Sequence, residues 1–332
     1  MLYRAVRPLL FALPPERAHA LALASLRGFA RVMPRVAPRN PPIPLLGLQF
    51  PSRVGLAAGF DKNATAIEGL GRLGFGFVEV GTVTPRAQAG QGPPRLFRLR
   101  RSAALINRMG FPNDGAPAVA ARLRQRRYAG ILGVNIGKNA DTPLDRAVDD
   151  YRECLRVLHG VADYVAVNVS SPNTQDLRTL QQPDRLDVLL AALLTERDAL
   201  SRATGRRVPI LVKVSPDLDA VALGEAAAVL QRLGVDGVIA TNTTLTREGV
   251  ASDPASGEDG GLSGPPLLPA ALRVVRQLRS ALGPALPIIG VGGIDTVAAG
   301  VAMRAAGADL IQLYTGLVYR GPSLVAALAR AL

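Results

Sequence analysis

Residues 210–243 read ILVKVSPDLDAVALGEAAAVLQRLGVDGVIATNT and contain one complete strand–helix–strand pattern. The apolar runs Ile210–Val214 and Gly237–Ala240 predict two buried strands. Between them, Ala220–Leu233 is rich in Ala and Leu and contains no Pro, which is typical of a helix. Strands joined by a helix of this length run parallel, so the segment predicts a β–α–β unit.

The same alternation extends over the chain from residue 53 onward. Strands are predicted at Val54–Ala57, Phe77–Val80, Ile131–Asn135, Tyr164–Asn168, Ile210–Val214, Gly237–Ala240, Ile288–Val291 and Leu310–Leu313. Helices are predicted at Thr65–Leu73, Asp114–Arg126, Leu144–Leu158, Leu186–Leu200, Ala220–Leu233, Leu267–Leu282, Thr296–Ala306 and Ser323–Ala331. Eight such units, without a GxGxxG motif after a first strand, favour a closed barrel over an open doubly wound sheet. The predicted fold class is α/β, a (β/α)8 TIM barrel with a small N-terminal helical extension.

Two insertions interrupt the predicted barrel. Thr84–Asn107 lies between the second strand and its helix, and Leu245–Gly264 follows the sixth strand. The barrel is expected to span residues 41–332, and residues 1–40 form the helical extension. The Pro-rich stretch Pro34–Pro44 is interpreted as the linker between them.

The extension, Met1–Arg35, reads as two short amphipathic helices whose apolar positions alternate with Arg. The chain has no run of about 18 apolar residues, so no transmembrane helix is predicted. A basic amphipathic pair suits an anionic membrane surface, and the same periodicity suits simple packing on the barrel. The sequence leaves both interpretations open.

The composition excludes several classes of protein. With 48% hydrophobic and 20% charged residues, the 332-residue chain is globular rather than disordered. The single cysteine, Cys154, excludes a disulfide framework and Cys-based metal sites. The only histidines, His19 and His159, lie far apart, so neither a metal site nor a Ser-His-Asp triad is expected. The net charge of +13 suits nucleic acid, acidic lipid or a phosphorylated ligand without choosing among them.

Lysine is rare in this chain. Of 39 basic residues, only Lys62, Lys138 and Lys213 are lysines. Arginine can supply surface charge, but a site that needs a compact ammonium cannot take a planar guanidinium. The three lysines are therefore candidate functional residues.

In a parallel barrel, functional residues lie at the carboxyl ends of the strands. The predicted ends are Ala57-Ala58-Gly59, Gly81-Thr82, Asn135, Asn168, Lys213, Thr241-Asn242-Thr243, Gly292-Gly293 and Tyr314-Thr315-Gly316. Amide and ammonium groups that converge from neighbouring strands suit a flat polar heterocycle. The glycine loop 290–294 and the segment 314–316 predict a phosphate site, because exposed backbone N–H groups favour phosphate. Together they point to FMN or another phosphorylated ligand.

Six motifs now combine: Ala57-Ala58-Gly59-Phe60-Asp61-Lys62-Asn63, Asn107-Arg108-Met109-Gly110-Phe111, Asn135-Ile136-Gly137-Lys138-Asn139, Asn168-Val169-Ser170-Ser171-Pro172-Asn173-Thr174, Ala240-Thr241-Asn242-Thr243-Thr244 and Gly290-Val291-Gly292-Gly293-Ile294. Over nearly the whole chain they resemble dihydroorotate dehydrogenase, in its membrane-associated, quinone-dependent class. The resemblance implies oxidation of (S)-dihydroorotate to orotate in de novo pyrimidine biosynthesis. It also implies that FMN takes a hydride from C6 at N5 and is reoxidised by a membrane quinone.

The resemblance further implies the site residues. FMN would contact Ala58, Gly59, Phe60, Asp61, Lys62, Thr82, Asn135, Asn168, Lys213, Thr241, Gly264, Gly293, Tyr314 and Thr315. Substrate would contact Lys62, Asn107, Arg108, Met109, Gly110, Phe111, Asn168, Asn173, Asn242 and Thr243. Lys213 is assigned to the N1/C2 carbonyl edge of the flavin, and Lys62 to the substrate carboxylate.

Ser171 is the expected base for the C5 proton. A serine is a weak base and needs a relay, for which Thr174 with a water is one route. The soluble class of the family resembles this chain but carries Cys in place of Ser171. Lys138 has no assigned role beyond an ion pair that orders its loop.

The N-terminal helices, which the soluble class lacks, imply a tunnel for the quinone. His19 and Arg98 fall where the family has polar residues near the quinone head, although His19 equally suits a solvated helix position. The implied protein is a monomer that lies on the cytoplasmic face of the bacterial inner membrane and binds no nucleic acid.

Two other functions compete with this interpretation. The first is an FMN barrel that acts on RNA, such as a tRNA dihydrouridine synthase, which the positive charge permits. Against it, the loop around Ser171 supplies no Cys acid and no RNA-binding appendage is visible. The second is a phosphate-binding barrel that serves as a membrane-recruited scaffold, and a bound flavin would count against it.

Overall fold

The computed structural model describes residues 2–34 and 41–332. Two helices open the chain as predicted, α1 at Leu2–Ala12 and α2 at Pro15–Phe29. They are followed by a hairpin of two short strands, β1 at Ile43–Leu45 and β2 at Leu48–Phe50. Residues 35–40 of the predicted linker lie outside the described residues, and its last two residues belong to β1.

Eight parallel strands close into the predicted barrel, which confirms the fold class. They are β3 (Val54–Leu56), β4 (Phe77–Val83), β7 (Ile131–Ile136), β8 (Tyr164–Asn168), β9 (Ile210–Val214), β10 (Gly237–Ala240), β12 (Ile288–Val291) and β13 (Leu310–Leu313). From β7 onward, every barrel strand begins at the predicted residue, and only β7 ends elsewhere, one residue late. The largest difference is in β4, which runs to Val83, so Thr82 lies inside a strand rather than after its end.

Nine helices follow the hairpin in the described part of the chain. They are α3 (Ile67–Gly71), α4 (Ala116–Arg124), α5 (Ala147–Leu158), α6 (Pro183–Thr204), α7 (Ala220–Leu233), α8 (Leu268–Leu282), α9 (Val297–Ala305), α10 (Thr315–Arg320) and α11 (Pro322–Ala331). Helix α7 matches its prediction because the Asp219 carboxylate accepts from the Ala222 N–H and Gly234, at φ 67°, ends the helix. Helix α10 was not predicted, and its first residues belong to a segment that was expected to be a loop.

The amino-terminal end of the barrel is filled with apolar side chains. Phe77, Tyr164 and Leu211 are fully buried inside the barrel, and Phe50 from the β1–β2 hairpin packs under them. The Phe50 and Phe77 rings meet edge to face at 5.3 Å. This end is therefore closed, and any ligand site must lie at the carboxyl end.

The two predicted insertions meet in one small antiparallel sheet, here called the insertion sheet. Its strands are β5 (Leu96–Leu99), β6 (Ala104–Asn107) and β11 (Gly261–Ser263), with β6 in the middle. Asn107 pairs with Gly261 at the edge nearest the predicted substrate residues. Segments remote in sequence thus form one wall over the barrel mouth.

The N-terminal helices pack on the barrel. Gly69 of α3 lies so close to α2 that a Cβ there would come within 2.2 Å of the Leu26 carbonyl oxygen. Arg98 of β5 donates to the carbonyls of Leu10 and Leu13 at 3.2 and 2.7 Å, at the end of α1. Packing on the barrel, one of the two interpretations left open, is thereby confirmed. No helix among the described residues has the length and apolar character needed to cross a membrane.

Candidate active site

A cavity opens at the carboxyl end of the barrel, under the insertion sheet. Most of the predicted site residues line it: Ala58, Gly59, Lys62, Thr82, Asn107, Met109, Gly110, Phe111, Asn168, Ser171, Asn173, Lys213, Thr241, Asn242, Thr243, Gly264, Gly293, Tyr314 and Thr315. The rule that functional residues collect at strand ends therefore located the cavity correctly. Four of the residues predicted to contact FMN or substrate do not line it: Phe60, Asp61, Arg108 and Asn135.

Three of these four residues support the cavity wall from outside. The Asp61 carboxylate accepts from the Ala66 N–H at 2.7 Å, just before α3 begins. Arg108 pairs with Glu258 at 2.8 Å and so ties the end of β6 to the second insertion. The Phe60 ring packs edge-on against Tyr314, with 5.5 Å between the ring centroids.

Asn135, the fourth, lies one layer below the cavity. It is paired in register with Ala166, two residues before Asn168, so it sits deeper in the barrel. Its side-chain oxygen accepts from Thr82 Oγ1 at 2.6 Å and from Asn168 Nδ2 at 3.2 Å. Asn242 Nδ2 in turn donates to Asn168 Oδ1 at 3.2 Å. These bonds fix the orientation of the Asn168 amide at the cavity surface.

Ser171 is buried in the loop after β8 and lines the cavity. Its Oγ accepts from the Asn173 N–H at 3.3 Å, and Asn173 Nδ2 donates to Asn107 Oδ1 at 3.2 Å. Thr174, the predicted relay residue, is also buried, but the described residues show no direct bond between its side chain and Ser171. The relay stays a prediction.

Lys62 presents an ammonium to the cavity. Its Nζ donates to the Gly59 carbonyl at 2.7 Å. Burial lowers the pKa of Lys62 to about 8, with a further decrease from Arg95, while Asp61 and Glu16 oppose it. Lys62 is therefore mostly protonated at pH 7 and can attract a carboxylate.

Lys213 is the second ammonium of the cavity and lies on β9, level with Asn168. Its Nζ has no hydrogen-bond partner in the described part of the chain. Burial lowers the pKa of Lys213, and Glu79 opposes that decrease. A buried ammonium that faces a cavity and has no protein partner is positioned to donate to an acceptor placed in that cavity.

Lys138, the third lysine, lies outside the cavity. Its Nζ donates to the carbonyls of Asn139 and Thr142 at 3.1 and 2.8 Å. No direct ion pair of Lys138 occurs among the described residues, so the expected ion pair is wrong. The lysine orders its loop through backbone carbonyls instead.

The glycine-rich side of the cavity is formed by the loops after β11, β12 and β13. Gly264 and Gly293 have φ of 105° and 74°, which favours glycine, and a Cβ on Gly293 would lie 2.5 Å from Leu268. The hydroxyls of Ser263 and Thr315 are 2.8 Å apart across this side. Ser263 lines the cavity and was missed, although its position directly before Gly264 was a signal.

Two further residues were missed: Gln312, which lines the cavity, and Glu79, which lies beneath it. Glu79 and Gln312 lie in the middle of apolar strands and are almost fully buried. A charged or amide side chain within such a strand was the signal in the sequence, because burying it requires partners inside the barrel.

The two residues predicted near the quinone head do not line the main cavity. The His19 ring of α2 packs edge-on against Phe60 at 5.1 Å, and Phe60 in turn contacts Tyr314. Burial and the nearby Lys62 lower the pKa of His19 to about 4. A row of rings thus leads from α2 to the cavity wall.

Arg98 lines a separate groove at the turn between α1 and α2. Besides its bonds to the carbonyls at the end of α1, its guanidinium lies 4.6 Å from the centre of the Phe11 ring. Burial lowers the pKa of this guanidinium. Arg98 therefore holds α1 in place.

A parallel barrel with a polar, glycine-lined cavity at its carboxyl end has the architecture of the β/α-barrel enzymes, whose active sites lie at that end. The family model described as dihydroorotate dehydrogenase matches residues 43–332. The chain belongs to the dihydroorotate dehydrogenase family, in its quinone-dependent class.

Several relatives are similar along their full length. A dihydroorotate dehydrogenase (quinone) of Aromatoleum aromaticum is 52% identical, covering 100% of this chain and 95% of the relative. The dihydroorotate dehydrogenase (quinone) of Albidiferax ferrireducens is 53% identical, covering 97% of this chain and 96% of the relative.

Solved structures of the enzyme from Eimeria tenella share the fold. One, in complex with ferulenol, has a TM-score of 0.90 at 36% identity and covers 97% of this chain and 93% of that one. A ligand-free form has a TM-score of 0.89 at 39% identity and covers 96% of this chain and 93% of that one. The chain is thus an oxidoreductase that oxidises dihydroorotate in pyrimidine biosynthesis.

Proposed function

We propose that the cavity holds FMN and dihydroorotate together, that Ser171 removes the C5 proton, and that a membrane quinone is the final oxidant. The observation that carries the proposal is the unpartnered Lys213 ammonium in a cavity that also has fixed amides and a glycine-rich side. A flavin ring offers carbonyl acceptors and an N–H donor, and its phosphate suits exposed backbone N–H groups. The residues present therefore fit FMN.

The proposed FMN residues divide by position. The residues Ala58, Gly59, Lys62, Thr82, Asn168, Lys213, Thr241, Gly264, Gly293, Tyr314 and Thr315 line the cavity, and Phe60, Asp61 and Asn135 hold them from behind. When bound, FMN would accept the C6 hydride at N5 and pass two electrons to the quinone. Lys213 would stabilise the electron density that a reduced flavin gains at its N1/C2 edge.

The substrate is proposed to bind on the side of the cavity that lies below the insertion sheet. The lining residues on this side are Lys62, Asn107, Met109, Gly110, Phe111, Asn168, Asn173, Asn242 and Thr243. Lys62 supplies the positive charge for the carboxylate, and the asparagine amides match the alternating C=O and N–H groups of a pyrimidine ring. Arg108, outside the cavity, keeps the end of β6 in place through Glu258.

Ser171 can act as the base only if its oxygen is oriented and shielded from water. The loop after β8 buries it, and the Asn173 N–H points at Oγ, which favours negative charge on that oxygen. The proton is held at Ser171 Oγ and leaves through Thr174 and a water. This route supplies the relay that a serine needs.

The second half-reaction is proposed to use the helical extension. The row of rings from His19 through Phe60 to Tyr314 would line the way from a quinone to the cavity, and Arg98 would secure α1 at its entrance. The extension also has the surface that a membrane requires, because Leu9 and Phe29 are 71% and 62% exposed. Exposed arginines lie beside them: Arg4, Arg17, Arg27 and Arg31.

This combination of apolar and basic side chains suits peripheral binding to an anionic membrane. We place the protein as a monomer on the cytoplasmic face of the bacterial inner membrane. Its substrate is a small molecule, and no nucleic acid is involved.

Anaerobic mixing of the purified holoenzyme with dihydroorotate tests the proposal. The flavin absorbance should bleach in a first phase and return when a quinone is added. Preparations without bound flavin would favour the scaffold interpretation, and a flavin that dihydroorotate does not reduce would contradict the substrate assignment.

A further inference from the structure

Glu79 lies inside the barrel, beneath the cavity, and is fully buried. Its carboxylate accepts hydrogen bonds from three strands. Asn135 Nδ2 on β7 and the Tyr164 hydroxyl on β8 donate at 2.9 Å each, and Gln312 Nε2 on β13 donates at 2.7 Å. Partners on both sides of β4 hold the carboxylate within the barrel interior.

The hydrogen-bonding partners of Glu79 carry no positive charge. Asn135 and Gln312 are neutral amides, and burial next to Glu79 raises the pKa of Tyr164 well above its usual value, so this hydroxyl keeps its proton. Lys213 lies on the strand next to that of Tyr164 and lines the same cavity as Gln312, which donates to Glu79, so the ammonium and the carboxylate share the barrel interior. Glu79 opposes the decrease that burial causes in the pKa of Lys213. The two do not form a direct ion pair among the described contacts, so they interact through space inside the barrel.

We propose that Glu79 is a positioning residue for the flavin site, and that its buried carboxylate supplies the counter-charge for the Lys213 ammonium in the cavity wall. The role rests on the proposed function, since Lys213 is the residue that would contact FMN. Among the acids of the described residues, only Glu79 acts on the pKa of Lys213.

The physical reason is the cost of a buried charge. A lysine ammonium that is removed from water loses its favourable hydration. This destabilises the fold unless an opposite charge compensates it. Burial acts to remove the proton of Lys213, and Glu79 acts to keep it. Without Glu79, the ammonium would titrate at a lower pH, and a neutral amine could no longer stabilise a reduced flavin.

The first test uses protein without flavin and is a double-mutant cycle. The denaturation midpoints of wild type, Glu79→Gln, Lys213→Met and the double variant are compared. We expect the double variant to lose less than the sum of the two single losses, because removing both charges leaves neither unpaired. Additive losses would overturn the proposal.

The cycle still tests the proposal if Glu79→Gln alone does not fold. If the double variant folds, the unpaired lysine was the cause, which supports the proposal. If neither folds, Glu79 is required independently of Lys213, which overturns it.

The second test measures the midpoint potential of bound FMN against pH. In Glu79→Gln the fall in potential that accompanies loss of the Lys213 proton should begin at a lower pH than in wild type. Tyr164→Phe is the matched control, because it removes one hydrogen bond to Glu79 and keeps the charge, and its potential should follow the wild type. A Glu79→Gln curve parallel to the wild type would overturn the proposal. Wild-type protein that binds no FMN would refute the proposed function instead, and the flavin-free cycle would still test the pairing.

Discussion

Glu16 on α2 accepts two hydrogen bonds from Arg95, one from its backbone N–H and one from its Nε, and both are 3.0 Å long. Arg95 also donates from Nη1 to the Gln91 carbonyl at 2.9 Å, and its own carbonyl accepts from the Arg108 N–H at 2.9 Å. The pair therefore joins the helical extension to the segment that carries proposed substrate residues. It is one of the direct contacts between the proposed quinone side and the proposed pyrimidine side of the molecule.

Replacing Glu16 with Gln should loosen this link. Hydrogen bonds to a half-buried carboxylate contribute about 1.5–3 kcal/mol, so the free energy of unfolding should fall by about that amount. Quinone turnover should fall further than flavin reduction by dihydroorotate. Asp114→Asn is the control, because Asp114 pairs with Arg122 on the exposed surface. This substitution should change the free energy of unfolding by less than about 1 kcal/mol. Equal losses in the two variants would contradict the link.

Ser171→Ala should retain FMN and fold normally, since the hydroxyl accepts only one long bond from Asn173. Loss of a positioned base typically slows proton transfer by about 10²–10⁴-fold. Stopped-flow bleaching of the flavin by dihydroorotate measures this step directly. Ser323→Ala, at an exposed position of α11, should leave it unchanged. Near-normal bleaching in Ser171→Ala would remove Ser171 from its assigned role.

Orotate binding should weaken at alkaline pH. The pKa of Lys62 in the free protein is about 8, so the protonated fraction falls about tenfold between pH 7 and pH 9. The dissociation constant of orotate should rise by the same factor, because only the ammonium pairs with the carboxylate. Titration of the flavin spectrum with orotate measures it, and Lys62→Met should bind weakly without this pH dependence. A constant wild-type affinity from pH 7 to 9 would contradict the assignment.

His19 should make the fold sensitive to acid. Its pKa is lowered to about 4 in the folded state, below its ordinary value of 6.5, so the unfolded chain binds the proton more readily. The contribution of His19 to stability is therefore complete above pH 6.5 and is lost as the pH falls towards 4. Denaturant unfolding of wild type and His19→Gln at pH 7.5 and pH 4.5 tests this. The variant should lose less stability than wild type between these pH values, and an equal loss would show that His19 titrates normally.

Vesicle binding should depend on the apolar surface of the extension. Burying a leucine or phenylalanine side chain contributes about 1.5–3 kcal/mol, so the double change of Leu9 and Phe29 to Ser should weaken binding to anionic vesicles more than tenfold. Val188→Ser is the control, because Val188 is 61% exposed but lies on α6 of the barrel. Co-sedimentation with the vesicles measures the effect, and equal binding by both variants would place the membrane contact elsewhere.

Local patterns in the sequence were sufficient to predict the strands of the barrel. Apolar runs of four or five residues between helical segments predicted the bounds of β8, β9, β10, β12 and β13. This succeeds because a parallel strand that is buried on both faces consists mostly of apolar residues. The cavity followed from the same pattern, since parallel strands bring their carboxyl ends together whatever their sequence separation.

How deep each polar residue lies in the barrel, and which partner it bonds to, depended on the tertiary structure. Asn135 and Asn168 look alike as strand ends, yet the register of β7 and β8 places Asn168 at the cavity and Asn135 one layer below it. Glu16 and Arg95 are 79 residues apart, and Glu79 and Gln312 are 233 apart. Which polar groups meet across such separations is determined by strand register and helix packing, which depend on the whole chain, and no local periodicity encodes them.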